Sequence, residues 1–293
     1  MAINTDTKTM VGKANVTATK FCIEHVTSAD GTTIGYRKIG SGPGLVIMHG
    51  GLRSSRHYER LAAALADTYT VYIPDRRGRG LSGSVGEDYS TRKECEDLAA
   101  ILQKTGAHLV FGHSGGGLFA LEAALKLPID KLILYEPAVS IDHSLPLDWL
   151  PGYEQAVLRK DYARAMVLTI KGLPLNWMSK LPHWMLYALF SLMLRGKEGR
   201  EIIELLPTGI HEGRECQRLD STHSRYRHIR SRTLLLGGAN SPDFLLAILP
   251  VLAEIIPHAR VVQLAGLDHT APDEDAPEAV AAAIKQFLLQ RGV

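Results

Sequence analysis

The chain has 293 residues, enough for one large domain or two small ones and for a sizeable core. Its composition is that of a globular protein, 45% hydrophobic and 22% charged, and a net charge of +2 gives no global electrostatic case for nucleic acid. No apolar run reaches membrane-span length; the nearest, Trp184 to Leu194, is too short and ends in Arg195. Three widely spaced cysteines, Cys22, Cys95 and Cys216, have no metal-ligand spacing and read as reduced thiols of a cytoplasmic protein. Residues 1–20 are polar, lack the apolar centre of a signal peptide, and are expected to form a flexible leader.

In chain order, Phe21 to Val26 and Thr32 to Ile39 flank an Asp30-Gly31 turn and predict a hairpin. Leu45 to Met48 is a continuous apolar run, as expected of a strand buried on both faces, and it ends in His49-Gly50-Gly51. A short amphipathic helix (Tyr58 to Ala66), a buried strand (Thr70 to Ile73) and a helix from Thr91 to Lys104 follow. Next comes Leu109-Val110-Phe111-Gly112-His113-Ser114-Gly115-Gly116-Gly117-Leu118: an apolar strand, a turn, and a helix running to Leu127. Lys131 to Tyr135 is one more strand, ending in Glu136-Pro137. From Ala138 to Ser231 no strand pattern is convincing; the stretch is helical and rich in Leu, Met, Trp and Tyr. The alternation then resumes with a strand at Thr233 to Leu236, a helix from Asp243 to Ile256, a strand at Arg260 to Leu264 and a helix from Pro277 to Leu289.

Strands alternating with helices predict a mostly parallel sheet covered on both faces. The helical stretch is too long for a loop and is expected to cap the edge of the sheet where ligands bind in open α/β folds. The expected organisation is a leader at 1–20, a core from 21–137 and 232–293, and a helical cap at 138–231.

The strand–turn–helix around Ser114 matches G-x-S-x-G, a turn that pushes the serine hydroxyl clear of the backbone. Glycine at 112 and 116 is expected because a Cβ there would strike the neighbouring strand and helix. The bland alternative is a glycine-rich turn whose serine caps a helix.

Four features occur in order: His49-Gly50-Gly51, the stretch Asp75-x-Arg77-Gly78-x-Gly80-x-Ser82, Gly112 to Gly116, and Gly266-Leu267-Asp268-His269. On these the chain resembles the α/β-hydrolase superfamily from about Ile23 to Leu289. The resemblance implies an eight-stranded, mostly parallel sheet with a helical cap inserted after the sixth strand. It implies Ser114 as nucleophile, His269 as its base, and the backbone N–H groups of Gly51 and Gly115 as an oxyanion hole. The Asp75 stretch is given a scaffold role.

The chain departs from the family pattern at the third catalytic position. After the strand that follows the cap, relatives carry aspartate just before Ser-Pro; here Asn240 precedes Ser241-Pro242. An amide can orient an imidazole but does not stabilise an imidazolium as a carboxylate does. Glu136, which ends the strand after the nucleophile's helix, is the expected acid. Asp243 is the second candidate, and Asp268 adjoins the histidine too closely for a good hydrogen bond.

Between Pro151 and Arg232 there are 14 Lys/Arg and 8 Asp/Glu, a basic surplus that reads as a solvated surface or as steering for an anion. The expected activity is hydrolysis of a carboxylic ester, thioester or lactone of a fairly apolar small molecule through an acyl-enzyme on Ser114, with no cofactor or metal. The alternatives are non-ester chemistry on the same residues (carbon–carbon hydrolysis, perhydrolysis of haloperoxidase type, a lyase) or a non-catalytic ligand sensor. A monomer or weak homodimer is expected.

Overall fold

The computed structural model describes residues 20–175 and 177–290. The leader expected at 1–20 therefore lies, apart from Lys20, outside the described residues.

Eight strands form one sheet: β1 (Cys22–Thr27), β2 (Thr33–Ile39), β3 (Gly44–Met48), β4 (Thr70–Pro74), β5 (Leu109–His113), β6 (Lys131–Tyr135), β7 (Arg232–Gly238) and β8 (Ala259–Leu264). Their spatial order is β1-β2-β4-β3-β5-β6-β7-β8. β1 and β2 form the expected hairpin and β2 runs antiparallel to β4; every other pairing is parallel.

The apolar runs are explained by burial on both faces. Val46, Met48, Val110, Leu132, Leu134 and Leu235 point into one core. Their neighbours in sequence, including Leu45, Ile47, Phe111, Ile133 and Leu234, point into the other. This is the period-2 alternation of a strand with apolar residues at every position. Helices α1 (Glu59–Leu65) and α10 (Pro277–Leu289) pack together on the second face. Helices α2 (Thr91–Thr105) and α3 (Ser114–Ala124) cover the first.

The predicted helix from Asp243 is interrupted at Ala247, giving α8 (Asp243–Leu246) and α9 (Ile248–Ile255). The predicted helix at Leu118 begins earlier, at Ser114 itself, so the turn is tighter than the apolar pattern alone implies. Between β6 and β7 the chain forms α4 (Leu150–Leu158), α5 (Tyr162–Gly172), α6 (His183–Met193) and α7 (Lys197–Arg218). Two apolar clusters, one around Tyr153 and Leu206 and one around Leu186 and Phe190, hold this insertion together.

Buried charge ties the insertion to the sheet. Glu215 of α7 accepts the Thr91 N–H at 2.8 Å, so a side chain of the insertion caps a core helix. Glu212 of α7 pairs with Arg76, which also makes a two-pronged contact with Glu94. Asp75 accepts backbone N–H groups from Ser55 and Leu81, and Arg77 bridges Asp97 and Asp30. The Asp75 stretch thus holds loops in place.

The β5–α3 turn is set by steric contact. A Cβ on Gly116 would lie 2.3 Å from the His49 carbonyl oxygen, and one on Gly112 would lie 2.7 Å from the Gly117 Cα. Both obstacles are backbone and cannot rotate away. Gly116→Ala should therefore destabilise the protein by about 2–3 kcal/mol, the usual cost of forced overpacking. A urea-unfolding midpoint lowered relative to wild type checks this, and an unchanged midpoint would contradict the assigned crossing.

Candidate active site

Ser114 sits at the end of the central strand β5 with a φ of +51°, a conformation that side-chain-bearing residues rarely adopt. Its carbonyl accepts the Ala138 N–H at 3.0 Å, which fixes the turn against the end of β6. Glu136, one residue beyond β6, is likewise left-handed at φ +44°. Strain of this kind, of order 1–3 kcal/mol per residue, persists only where the surroundings impose it.

Those surroundings are specific. Glu136 is fully buried. Its Oε1 accepts the Gly238 N–H at 2.7 Å and the Ser241 hydroxyl at 2.6 Å. Its Oε2 lies 2.6 Å from His269 Nδ1. One carboxylate therefore joins three segments: the end of β6, the loop after β7 and the loop after β8. Hydrogen bonds to an ionised carboxylate are short and strong, and these have that length.

Asn240, at the position where an acid was expected from the family pattern, is exposed, and its N–H donates to the Leu267 carbonyl at 2.8 Å. Asp243 is exposed at the first turn of α8. The Asp268 carboxylate accepts from the Thr270 N–H and hydroxyl, so it shapes the histidine loop. Of the acids weighed in the sequence, the structure brings Glu136 to the imidazole.

Two other histidines flank the site. His49 Nε2 accepts the Arg76 N–H at 3.1 Å, which leaves Nδ1 to donate to the Gly50 carbonyl at 3.0 Å. Both nitrogens are spent on backbone. His113 Nδ1 accepts from the Tyr58 hydroxyl, which in turn accepts the Gly50 N–H at 3.0 Å. The His113 and His269 rings are 4.7 Å apart between centroids. Burial pushes both His49 and His113 well below the ordinary imidazole range, reinforced by Arg79 and Arg76 beside His49 and by His269 and Arg53 beside His113. Both are neutral at pH 7.

Ser114, Gly51, Gly115 and His269 all line one cavity of about 450 Å³, with Gly50 and Glu212. Leu145, Met166, Ile170, Met178 and Phe190 supply apolar wall. The Gly51 and Gly115 turns adjoin: a Cβ on Gly115 would lie 3.6 Å from the Gly51 nitrogen. Sequence reasoning missed Glu212. A Cβ on Gly51 would lie 3.0 Å from its Oε2, and one on Gly115 would lie 3.3 Å from its Oε1. Nothing in the sequence around Glu212 marks a helical glutamate as a pocket residue. It also missed Arg53, which lines the cavity paired with Asp273 and Glu274. Charged side chains in the lining are thus one guanidinium against three carboxylates, a poor match for an anion; the basic surplus of the insertion lies elsewhere. Among the described residues, no group of three or more His, Cys, Asp or Glu is arranged to hold a metal ion.

A mostly parallel sheet with a strained serine at the tip of its central strand, above a pocket at the strands' C-terminal ends, defines the α/β-hydrolase class of proteins. The chain belongs to the alpha/beta hydrolase family, whose sequence pattern matches residues 45–283. It is 25% identical over 264 residues to 2-(acetamidomethylene)succinate hydrolase of Mesorhizobium japonicum, covering 87% of this chain and 91% of that protein. It is 26% identical over 282 residues to cis-3-alkyl-4-alkyloxetan-2-one decarboxylase of Shewanella oneidensis, covering 91% and 88%. Among solved structures, an alpha/beta hydrolase from Sphaerobacter thermophilus superposes with a TM-score of 0.76 at 30% identity, over 90% of this chain and all of that one.

The buried histidines give a pH dependence. An unfolded imidazole takes up protons below about pH 6.5, whereas His49 and His113 stay neutral when folded. The unfolded state then binds more protons, so stability falls as pH drops below about 6.5, by up to about 1.4 kcal/mol per pH unit for each group. Urea midpoints at about pH 7.5 and pH 5 should show this loss, and NMR titration should leave both rings neutral across that range.

Proposed function

We propose that the protein is a serine hydrolase for carboxylic esters, thioesters or lactones of apolar small molecules. The observation that carries this reading is the buried 2.6 Å contact between His269 Nδ1 and Glu136, facing the cavity that Ser114 also lines. With the carboxylate at Nδ1, that nitrogen holds a proton and Nε2 is left as the base. Ser114 Oγ attacks the acyl carbon while His269 Nε2 takes its proton. The N–H groups of Gly51 and Gly115 receive the oxyanion, fixed beforehand by the two adjoining turns. Nε2 then returns the proton to the leaving oxygen or sulfur, and water attacks the acyl-enzyme by the same route. In this reading Glu136 stands in for the acid that Asn240 lacks, and residues 138–231 act as a cap that closes the cavity from above.

The relatives' names span ester-like and non-ester chemistry, a hydrolase and a decarboxylase. The ester reading is favoured by an extensive apolar wall, from Leu145, Met166, Ile170 and Phe190, facing an end that carries Ser114, His269 and the two glycine turns. Glu212, paired with Arg76 and Arg79, lies against both turns, so the carbonyl end already holds a carboxylate with its counter-charges.

A series of p-nitrophenyl esters of rising chain length tests the chemistry. Ser114→Ala should remove turnover by at least about 10³-fold. Glu136→Gln should lower kcat by about 10²–10⁴-fold with little change in KM, because it withdraws a charge needed only as the imidazolium forms. Asn240→Asp and Asp243→Asn should stay close to wild type. A fully active Glu136→Gln enzyme would falsify the assignment of the acid.

Charge selection is a separate outcome. The p-nitrophenyl ester of succinate, which keeps a free carboxylate, should be hydrolysed with a kcat/KM at least about tenfold below that of p-nitrophenyl butyrate, a difference of about 1.4 kcal/mol. A preference for the anion would contradict the reading of the cavity lining.

A further inference from the structure

Helix α6 (His183–Met193) has the sequence HWMLYALFSLM, with no charged residue. A helix apolar on all sides is ordinarily buried on all sides. This one buries Leu186 and Phe190 and leaves Trp184 at 72%, Leu192 at 69% and Tyr187 at 45% exposed. Trp177, in the turn before it, is 69% exposed. Large apolar side chains exposed this densely along one segment are seldom left open by monomeric proteins.

The chain on either side of α6 carries a surplus of cations. From Trp177 to Arg200 the cations are Lys180, Arg195, Lys197 and Arg200, against the single carboxylate of Glu198, and all five are exposed. Tryptophan and leucine on a helix, with lysine and arginine at its ends, is the chemistry of a segment lying in the headgroup region of an anionic bilayer. A second copy fits less well: a two-fold pairing of this face would bring the same four cations against their duplicates. Phe190 and Met193 of α6, and Met178 of the turn before it, line the cavity. Met193 is both exposed and cavity-lining, so the apolar surface and the cavity meet there.

We infer that the outer face of α6, with Trp177 and the flanking cations, is a docking surface for anionic lipid, on which the protein lies without crossing. No helix among the described residues is long and apolar enough to cross a membrane. Docking turns the Met193 side of the cavity toward the lipid, so that amphiphilic molecules can pass from the surface into the pocket. The docking surface does not depend on Ser114 chemistry, and the two are tested apart.

The experiment is sedimentation with vesicles of phosphatidylglycerol and phosphatidylcholine, against vesicles of phosphatidylcholine alone, using wild type and Ser114→Ala. Both proteins should bind the anionic vesicles with a blue shift in tryptophan emission, and binding should weaken with added salt. The double variant Trp184→Ser, Leu192→Ser should lose about tenfold or more in partitioning, while its circular dichroism and its hydrolysis of soluble p-nitrophenyl butyrate stay unchanged. Arg195→Glu with Lys197→Glu should lose binding to the anionic vesicles by a similar factor. The inference is overturned if wild type fails to bind the anionic vesicles, or if the Trp184→Ser, Leu192→Ser double variant binds as wild type does. It is also overturned if ultracentrifugation finds a dimer that this double variant dissociates, which would make a second copy the occupant.

Discussion

The site depends on a single buried carboxylate. Glu136 takes hydrogen bonds from Gly238 at the end of β7, and from Ser241 and His269 in the loops after β7 and β8, all far from it in sequence. Removing it would leave a buried N–H and a buried hydroxyl without a partner, and each such loss costs about 1–3 kcal/mol. The same contacts explain why the backbone at Glu136 tolerates a left-handed conformation: a more relaxed backbone would aim the carboxylate elsewhere. Orientation of the imidazole and cohesion of the three strand ends are therefore one interaction.

Much of this was legible beforehand. Continuous apolar runs such as Leu45–Met48 and Leu132–Tyr135 locate buried strands because a sheet covered on both faces needs apolar residues at nearly every position. Gly112 and Gly116 announce the close crossing because no other residue fits beside backbone oxygen. Glu136 could be singled out as a strand-end acid because Asn240 left the usual position without charge. Glu212 and Arg53 were not legible. Each reaches the cavity through tertiary contacts, Glu212 from the middle of a long helix and Arg53 through partners more than two hundred residues away, and neither sits in a local pattern. The break at Ala247 did have a local signal that the apolar pattern masked: Pro250 has no N–H to continue a helix from Asp243 and falls instead in the first turn of α9.

Cysteine chemistry follows the same logic of burial. Cys216 lines the cavity, yet its thiol is pushed up to about 12, chiefly by burial. At neutral pH it is a packing residue with almost no thiolate. The thiol in the cavity is thus kept inert, in keeping with the proposal of Ser114 as the nucleophile.

The two walls of the cavity differ in how they are held. α7 is fastened to the sheet by Glu212 on Arg76 and by Glu215 on the start of α2, contacts that fail only if charge is stranded without a counterpart. The wall formed by Met166, Met178 and Phe190 belongs to an apolar cluster of largely pliable side chains. The chamber therefore has a stiff end and a soft end. In the proposed reaction the stiff end would set the geometry around the carbonyl. The soft end can reshape itself around tails of different length, so such a protein would be strict about the bond it works on and lenient about what hangs from it.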